Sequence, residues 1–123
     1  MHLLRSERSG ERICDFVRDF DFRNTDTWVL RSVYDELSKY LGHKGDPFPI
    51  HADDRWIEDL DIDEEDMFCD LLPDIAYRAR RSLDDTEGNP YCGRVITIRD
   101  MVHFLQNQPK LEDVEPSYAG SVR

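Results

Sequence analysis

The sequence predicts an all-α protein, because apolar residues recur at helical spacing along the chain and potential capping residues flank the segments concerned. The chain has 123 residues, 39% of them hydrophobic, which is enough for one domain with a modest core. We expect that single helical domain to span residues 11–108. Residues 1–10 and 109–123 are expected to form a flexible N-terminus and a flexible C-terminal tail.

Two helices are predicted in the first third of the chain. The first runs from Glu11 to Phe20 and is short and amphipathic. The second is the best defined, because the hydroxyl of Thr25 or Thr27 can cap its start and Gly42 follows its end. Its apolar stripe consists of Leu30, Val33, Tyr34, Leu37, Tyr40 and Leu41.

A third helix is predicted after Asp63, whose carboxylate can cap it. The acidic residues Glu64, Glu65 and Asp66 in its first turn favour the positive end of the helix dipole. Pro73 lacks an N–H group and crowds the preceding turn, so we expect either a kink or a break into two helices. The predicted buried face consists of Met67, Phe68, Leu71, Leu72, Ile75, Ala76, Ala79 and Leu83.

The last predicted helix begins after Thr97, which forms a partial capping-box pattern with Asp100. Its expected core face consists of Ile98, Met101, Val102 and Leu105. Pro109 follows its end.

Two loops are predicted between these helices. Glycine and proline residues predict the first over residues 43–52, where Phe48 and Ile50 are expected to contact the core. The second covers residues 84–94 and contains a Gly-Asn-Pro turn signal.

Acidic charge is concentrated in one stretch, Asp53 to Asp74. Eleven acidic residues meet a single arginine there, which gives the stretch a net charge of −10 out of −11 for the whole chain. An acidic chain of this kind is unsuited to binding nucleic acid and favours a basic protein partner. The simpler interpretation is a solvated face that keeps a small domain soluble.

The sequence offers little for catalysis or metal binding. The four histidines (His2, His43, His51 and His103) and three cysteines (Cys14, Cys69 and Cys92) show no metal-ligand spacing. We expect reduced and mostly packed thiols, with Cys69 a buried residue rather than a nucleophile activated by His103. A calcium loop starting at Asp61 fails, because Asp66 and Leu72 stand where glycine and glutamate are needed. We therefore expect no enzyme activity, cofactor or metal.

The chain is expected to be cytoplasmic and to bind no membrane. Its apolar runs are too short for a membrane span, and its first residues lack the apolar region of a secretory signal.

Two short motifs resemble those of acyl carrier proteins. Residues 58–63, Glu-Asp-Leu-Asp-Ile-Asp, resemble the E-D-L-G-x-D-S-L motif that precedes the second helix of that family. Residues 97–100, Thr-Ile-Arg-Asp, resemble the T-hydrophobic-x-D/E signature that starts its last helix. The similarity covers about residues 27–107. It implies an acyl-carrier-protein-like four-helix bundle, to which the helix at residues 11–20 is an N-terminal addition.

The chain departs from this family where the phosphopantetheine-bearing serine belongs. Asp63 matches the aspartate of the motif, but Glu64 occupies the serine position and Asp61 replaces the glycine. A carboxylate cannot form the phosphodiester that a hydroxyl forms, so no prosthetic group is expected. The lost glycine suggests a relaxed constraint around the missing group.

The resemblance implies an acidic protein–protein interaction module that docks on a basic surface, as true carriers dock on their enzymes. The predicted partner-binding residues are Asp63, Glu64, Glu65, Asp66 and Asp70. The alternative is a small acidic immunity or inhibitor protein that covers a basic toxin or enzyme surface. Both are consistent with the sequence, as is an acidic stripe with no partner.

The missing serine generates a direct prediction. Incubation with a broad-specificity phosphopantetheinyl transferase and coenzyme A should leave the intact mass unchanged, because Glu64 offers no hydroxyl. Intact-protein mass spectrometry checks this, with a true acyl carrier protein as the positive control. A mass gain equal to the phosphopantetheine arm would contradict the prediction.

Overall fold

The computed structural model describes residues 8, 10–21, 23–42 and 48–111. Within these ranges it contains four helices and no β-strand, so the all-α prediction is confirmed. The helices are α1 (Ile13–Val17), α2 (Thr27–Leu41), α3 and α4 (Ile98–Gln106), where α3 comprises the consecutive segments Glu64–Asp66, Met67–Leu71 and Leu72–Arg78. A short 3₁₀ turn occupies Thr86–Gly88.

Helix α2 is the centre of the fold, since α1, α3 and α4 all pack against it. Its N-cap is Asp26, whose carboxylate accepts a hydrogen bond from the backbone N–H of Trp28 at 2.9 Å. The prediction that Thr25 or Thr27 caps this helix is therefore wrong. Thr25 instead donates its hydroxyl to the backbone carbonyl of Asp21. The buried face of α2 includes Val29, Leu30, Val33 and Leu37.

Helix α1 is shorter than the predicted Glu11–Phe20. Beyond Val17 the backbone closes three-residue turns, with Asp19 and Phe20 donating to Phe16 and Val17. These tighter turns bring Phe20 back against Phe16, with their ring centroids 5.1 Å apart. Both phenylalanines are buried, so Phe20 reaches the core even though the last turn of the predicted helix does not form.

Pro73 does not break α3, because it lies in the first turn of the α-helical segment Leu72–Arg78, just after a π-helical turn. The segment Met67–Leu71 is a π-helical turn, which Leu72 closes by donating its N–H to the carbonyl of Met67 five residues earlier. A regular turn would need an N–H from residue 73 to the carbonyl of Cys69, and proline cannot supply it. The wider π turn immediately before Pro73 lets the helix continue.

The π turn also corrects the predicted buried face of α3. Met67, Leu71, Ile75, Ala76 and Ala79 are buried, but Phe68 is 54% exposed. An extra residue in one turn rotates the residues before it relative to those after it, so Phe68 no longer shares a face with Ile75.

Helix α3 ends in a Schellman motif rather than continuing toward Leu83. Arg80 donates its N–H to the carbonyl of Tyr77, and Arg81 donates to the carbonyl of Ala76. Arg80 adopts a left-handed backbone with φ of 60°, a position where glycine is usual. Because the sequence has no glycine at this position, it did not indicate that the helix ends here.

Helix α4 matches its prediction closely. Thr97 and Asp100 form a reciprocal capping box, with the Thr97 hydroxyl 3.1 Å from the N–H of Asp100 and the Asp100 carboxylate 3.0 Å from the N–H of Thr97. The predicted core residues Ile98, Met101, Val102 and Leu105 are all buried, and Phe104 joins them.

The segment between α2 and α3 has no regular structure in residues 48–63 but lies largely in the core. Its buried apolar residues are Phe48, Ile50, Ala52, Trp56, Leu60 and Ile62. The prediction for Phe48 and Ile50 is confirmed. Residues 43–47 of the predicted loop lie outside the described residues.

Both ends of the folded part extend beyond the predicted bounds. Arg8 is buried and forms an ion pair with Asp54. At the other end, Pro109 accepts a backbone hydrogen bond from the N–H of Ser82, and Leu111 donates its N–H to the carbonyl of Arg80. The remaining residues predicted to be flexible, 1–7, 9 and 112–123, lie outside the described residues.

The central position of α2 generates a stability prediction. Leu37→Ala should lower the free energy of unfolding by about 2–5 kcal/mol, because Leu37 is fully buried and its removal leaves a cavity. Phe68→Ala is the control, since this larger side chain is exposed and should cost about 1 kcal/mol or less. Urea denaturation followed by circular dichroism measures both. Equal losses would show that burial does not distinguish the two positions.

Candidate functional site

The acidic stretch divides into carboxylates that hold the fold together and carboxylates that face solvent. Asp54 is buried and accepts hydrogen bonds from both terminal nitrogens of Arg8, each at 2.7 Å. Asp53 accepts from Arg99 at 2.9 Å. Arg55, the single arginine of the stretch, pairs with Glu58 and Asp59. Four of the eleven acidic residues are thus matched by basic side chains.

Two of the predicted partner-binding residues have structural roles. Asp63 caps α3, as predicted, with its Oδ1 2.7 Å from the N–H of Glu65 and 3.3 Å from that of Asp66. Asp66 accepts a hydrogen bond from the Tyr40 hydroxyl at 2.6 Å, which ties the start of α3 to the end of α2. Both carboxylates are therefore engaged in holding this corner of the molecule.

The other three predicted residues are free to meet a partner. Glu64, Glu65 and Asp70 are exposed on α3, and their carboxylates form no hydrogen bond or ion pair with the described part of the chain. Asp61 and Asp74, which flank them, are also exposed and form no hydrogen bond or ion pair through their carboxylates within the described residues. The start of α3 therefore presents unpaired negative charge to solvent.

Apolar side chains whose exposure was not predicted from the sequence lie beside these carboxylates. Phe68 and Ile57 are 54% and 45% exposed. Phe68 packs edge-on against Trp56, with ring centroids 5.7 Å apart, while the Trp56 indole N–H donates to the carbonyl of Val95 at 2.8 Å. The indole is thereby fixed, and it supports the exposed ring of Phe68.

These residues border an apolar cleft of about 500 Å³ between α3, α4 and residues 83–95. Apolar residues that line it include Trp56, Met67, Phe68, Leu72, Leu83, Val95, Met101 and Phe104. Glu64 is the one charged residue among the described residues that line this cleft. An apolar cleft beside carboxylates suits a partner segment that combines an apolar anchor with basic residues.

The cysteines and histidines do not form a second site. Cys14, Cys69 and Cys92 are all exposed free thiols, so the prediction of mostly packed cysteines is wrong. Cys69 lies on the solvent side of the π turn, next to Phe68. Over the described residues there is no group of three or more potential metal ligands. His103 stacks on Tyr91 instead, with ring centroids 5.6 Å apart.

None of the described helices is long and apolar enough to cross a membrane. Comparisons with protein-family models, with curated proteins and with solved structures gave no match.

The negative charge at the start of α3 generates a pH prediction for Tyr40. Its hydrogen bond to Asp66, its partial burial and the nearby charges of Asp63 and Asp61 raise its pKa from 10.0 to about 12. The folded state therefore favours the neutral phenol. This contribution to stability is fully present below pH 10 and is lost as the pH rises through about 12.

Ultraviolet absorbance titration of the wild type and of Tyr40→Phe isolates the ionisation of this phenol. Asp66→Asn should lower the Tyr40 pKa toward 10, because it removes the accepting carboxylate. Asp70→Asn is the matched control on the same helix and should have a much smaller effect. Equal shifts in both variants would mean that overall charge, not the hydrogen bond, sets the pKa.

Proposed function

We propose that this protein is a non-catalytic, acyl-carrier-like interaction module that docks on a basic surface of a partner protein. The observation that carries the proposal is the exposed, unpaired set of carboxylates Glu64, Glu65 and Asp70 on α3. Carboxylates without internal partners have no intramolecular ion pair to break on docking. They form charge-assisted hydrogen bonds with arginine and lysine side chains.

The order of elements supports an acyl-carrier-like arrangement. A long helix, a long irregular segment, a helix with an acidic start and a final capped helix occur in that order. The proposed motif also has the backbone that its glycine would provide, since Asp61 is left-handed with φ of 53°. Aspartate tolerates this conformation better than most residues. The replacement of glycine therefore preserves the turn, and a relaxed constraint is not needed to explain it.

Glu64 gives the proposed module its departure from carrier chemistry. It is the first residue of α3 and lines the apolar cleft, at the position where the resemblance places the serine. A carboxylate here carries no prosthetic group but adds negative charge at the mouth of the cleft. We assign Glu64 to recognition of the partner.

The apolar cleft supplies the second half of the proposed interface. Binding energy in protein interfaces comes mainly from a few buried apolar or aromatic anchors, with charged residues at the rim. Phe68 and Ile57 are positioned to contact such an anchor, and Glu64 and Glu65 to meet basic residues beside it. The charged residues then govern the rate of association, and the apolar contact governs the rate of dissociation.

The proposal predicts the behaviour of a charge variant toward a partner captured from the native host. Glu64→Gln, Glu65→Gln and Asp70→Asn, combined, should weaken binding mainly through slower association. Wild-type affinity should fall as salt rises through about 0.15 M, where the screening length is about 8 Å. Surface plasmon resonance with the purified partner measures both rates. Asp63 and Asp66 stay unchanged, because their loss would disturb the cap and the Tyr40 contact.

A matched triple variant controls for net charge. Asp19→Asn, Asp21→Asn and Asp35→Asn remove the same charge from positions outside α3 and outside the segments that border the apolar cleft, and should leave association nearly unchanged. Phe68→Ala tests the apolar contact and should speed dissociation. If both triple variants slowed association equally, the effect would come from the net charge of the protein and not from the acidic start of α3. A toxin as the captured partner would favour the inhibitor alternative over the carrier-like one.

A further inference from the structure

A second cleft lies away from the acidic helix start and has the opposite charge. It has a volume of about 500 Å³ and is lined by residues before α2, residues after α3, and the end of α4. Arg23, Arg80, Arg81 and Lys110 line it, with Asp26 as the single acidic residue among the described residues that do so. The lining thus carries a formal charge of +3 in a chain of net charge −11.

Three of these basic side chains are available to a ligand. Arg23, Arg80 and Lys110 are exposed and form no ion pair with the described part of the chain. Because these three basic side chains line one cleft, the cleft is suited to an anionic ligand.

Arg81 forms a fixed base for the cleft. Its side chain is 7% exposed, pairs with Asp26 at 2.5 Å and donates to the carbonyls of Gln106 and Gln108 at 3.1 and 3.0 Å. Its Nε is buried and donates to no acceptor within the described residues. The guanidinium is thus held in place while part of its donor capacity stays unused.

The backbone fixes where the other basic residues stand. Arg80 occupies the left-handed position of the Schellman motif, and its guanidinium lies 5.2 Å from the ring centroid of Trp28. Lys110 is paired with Arg81 in an isolated β-bridge, and Leu111 donates its N–H to the carbonyl of Arg80 at 2.8 Å. The basic side chains therefore project from a hydrogen-bonded framework.

We propose that this cleft binds a small molecule that carries phosphoryl groups. Arginine forks and a lysine ammonium match the several acceptor oxygens of a phosphoryl group, and a local charge of +3 balances two or more negative charges. The cleft volume is in the range typical of small-molecule sites. A long polyanion is disfavoured, because the acidic remainder of the chain repels it. Trp28, 55% exposed, also lines the cleft, where its ring supports the Arg80 guanidinium.

Isothermal titration calorimetry with pyrophosphate, at constant ionic strength, tests the site. The wild type should show saturable binding. Arg80→Gly and Lys110→Gln should each weaken it by about tenfold or more, since each removes one charge-assisted contact. Glycine suits the backbone of position 80, so Arg80→Gly removes the side chain without straining the fold. Circular dichroism verifies that both variants remain folded.

Arg94→Gln is the matched control, because Arg94 is an exposed basic residue that does not line this cleft. Its affinity for pyrophosphate should stay within about twofold of the wild type. Citrate distinguishes carboxylate from phosphoryl recognition and should bind at least about tenfold more weakly. The absence of saturable pyrophosphate binding, an equal loss in Arg94→Gln, or equally tight citrate binding would overturn the proposal.

Discussion

The buried pair of Asp54 and Arg8 is the interaction on which the irregular middle of this protein depends. The Asp54 carboxylate accepts two hydrogen bonds from Arg8 and a third, at 2.8 Å, from the backbone N–H of His51. Arg8 also donates to the carbonyl of Pro49, and the carbonyl of Asp54 accepts from the N–H of Ile98. One residue thus joins the N-terminal part of the chain, the long segment before α3 and the start of α4. Removing either charge of such a pair leaves the other buried and unmatched, which costs about 3–5 kcal/mol.

This pairing changes the meaning of the acidic stretch. Its charge is not one uniform surface, because four carboxylates before α3 are paired with basic side chains, whereas Glu64, Glu65 and Asp70 on α3 are exposed and have no such partner in the described part of the chain. The same helix ends beside a basic cleft at Arg80 and Arg81. At about 1.5 Å per residue, the two ends of α3 are separated by roughly 20 Å. The chain is therefore acidic overall but polarised along one helix, with opposite charges at its two ends.

A single π turn connects the backbone of α3 to its proposed function. The turn directly precedes Pro73 and rotates Phe68 out of the core into contact with Trp56. The exposed ring then stands at the edge of the apolar cleft, close to the unpaired Glu64. The π turn that accommodates Pro73 in the helix therefore also sets the position of Phe68 on the proposed docking surface.

The sequence by itself determined the helical class, the capped starts of α3 and α4, and most of the core on α2 and α4, because these features depend on residues three or four positions apart. It also located the exposed carboxylates Glu64, Glu65 and Asp70. Only the tertiary structure decided which other carboxylates are paired with basic side chains, since partners such as Arg8 and Asp54 are 46 residues apart. The left-handed end of α3 at Arg80, the outward turn of Phe68 and both clefts likewise depend on contacts between distant segments. Local periodicity carries no information about such contacts, and this is the physical reason that the proposed sites became visible only in the folded chain.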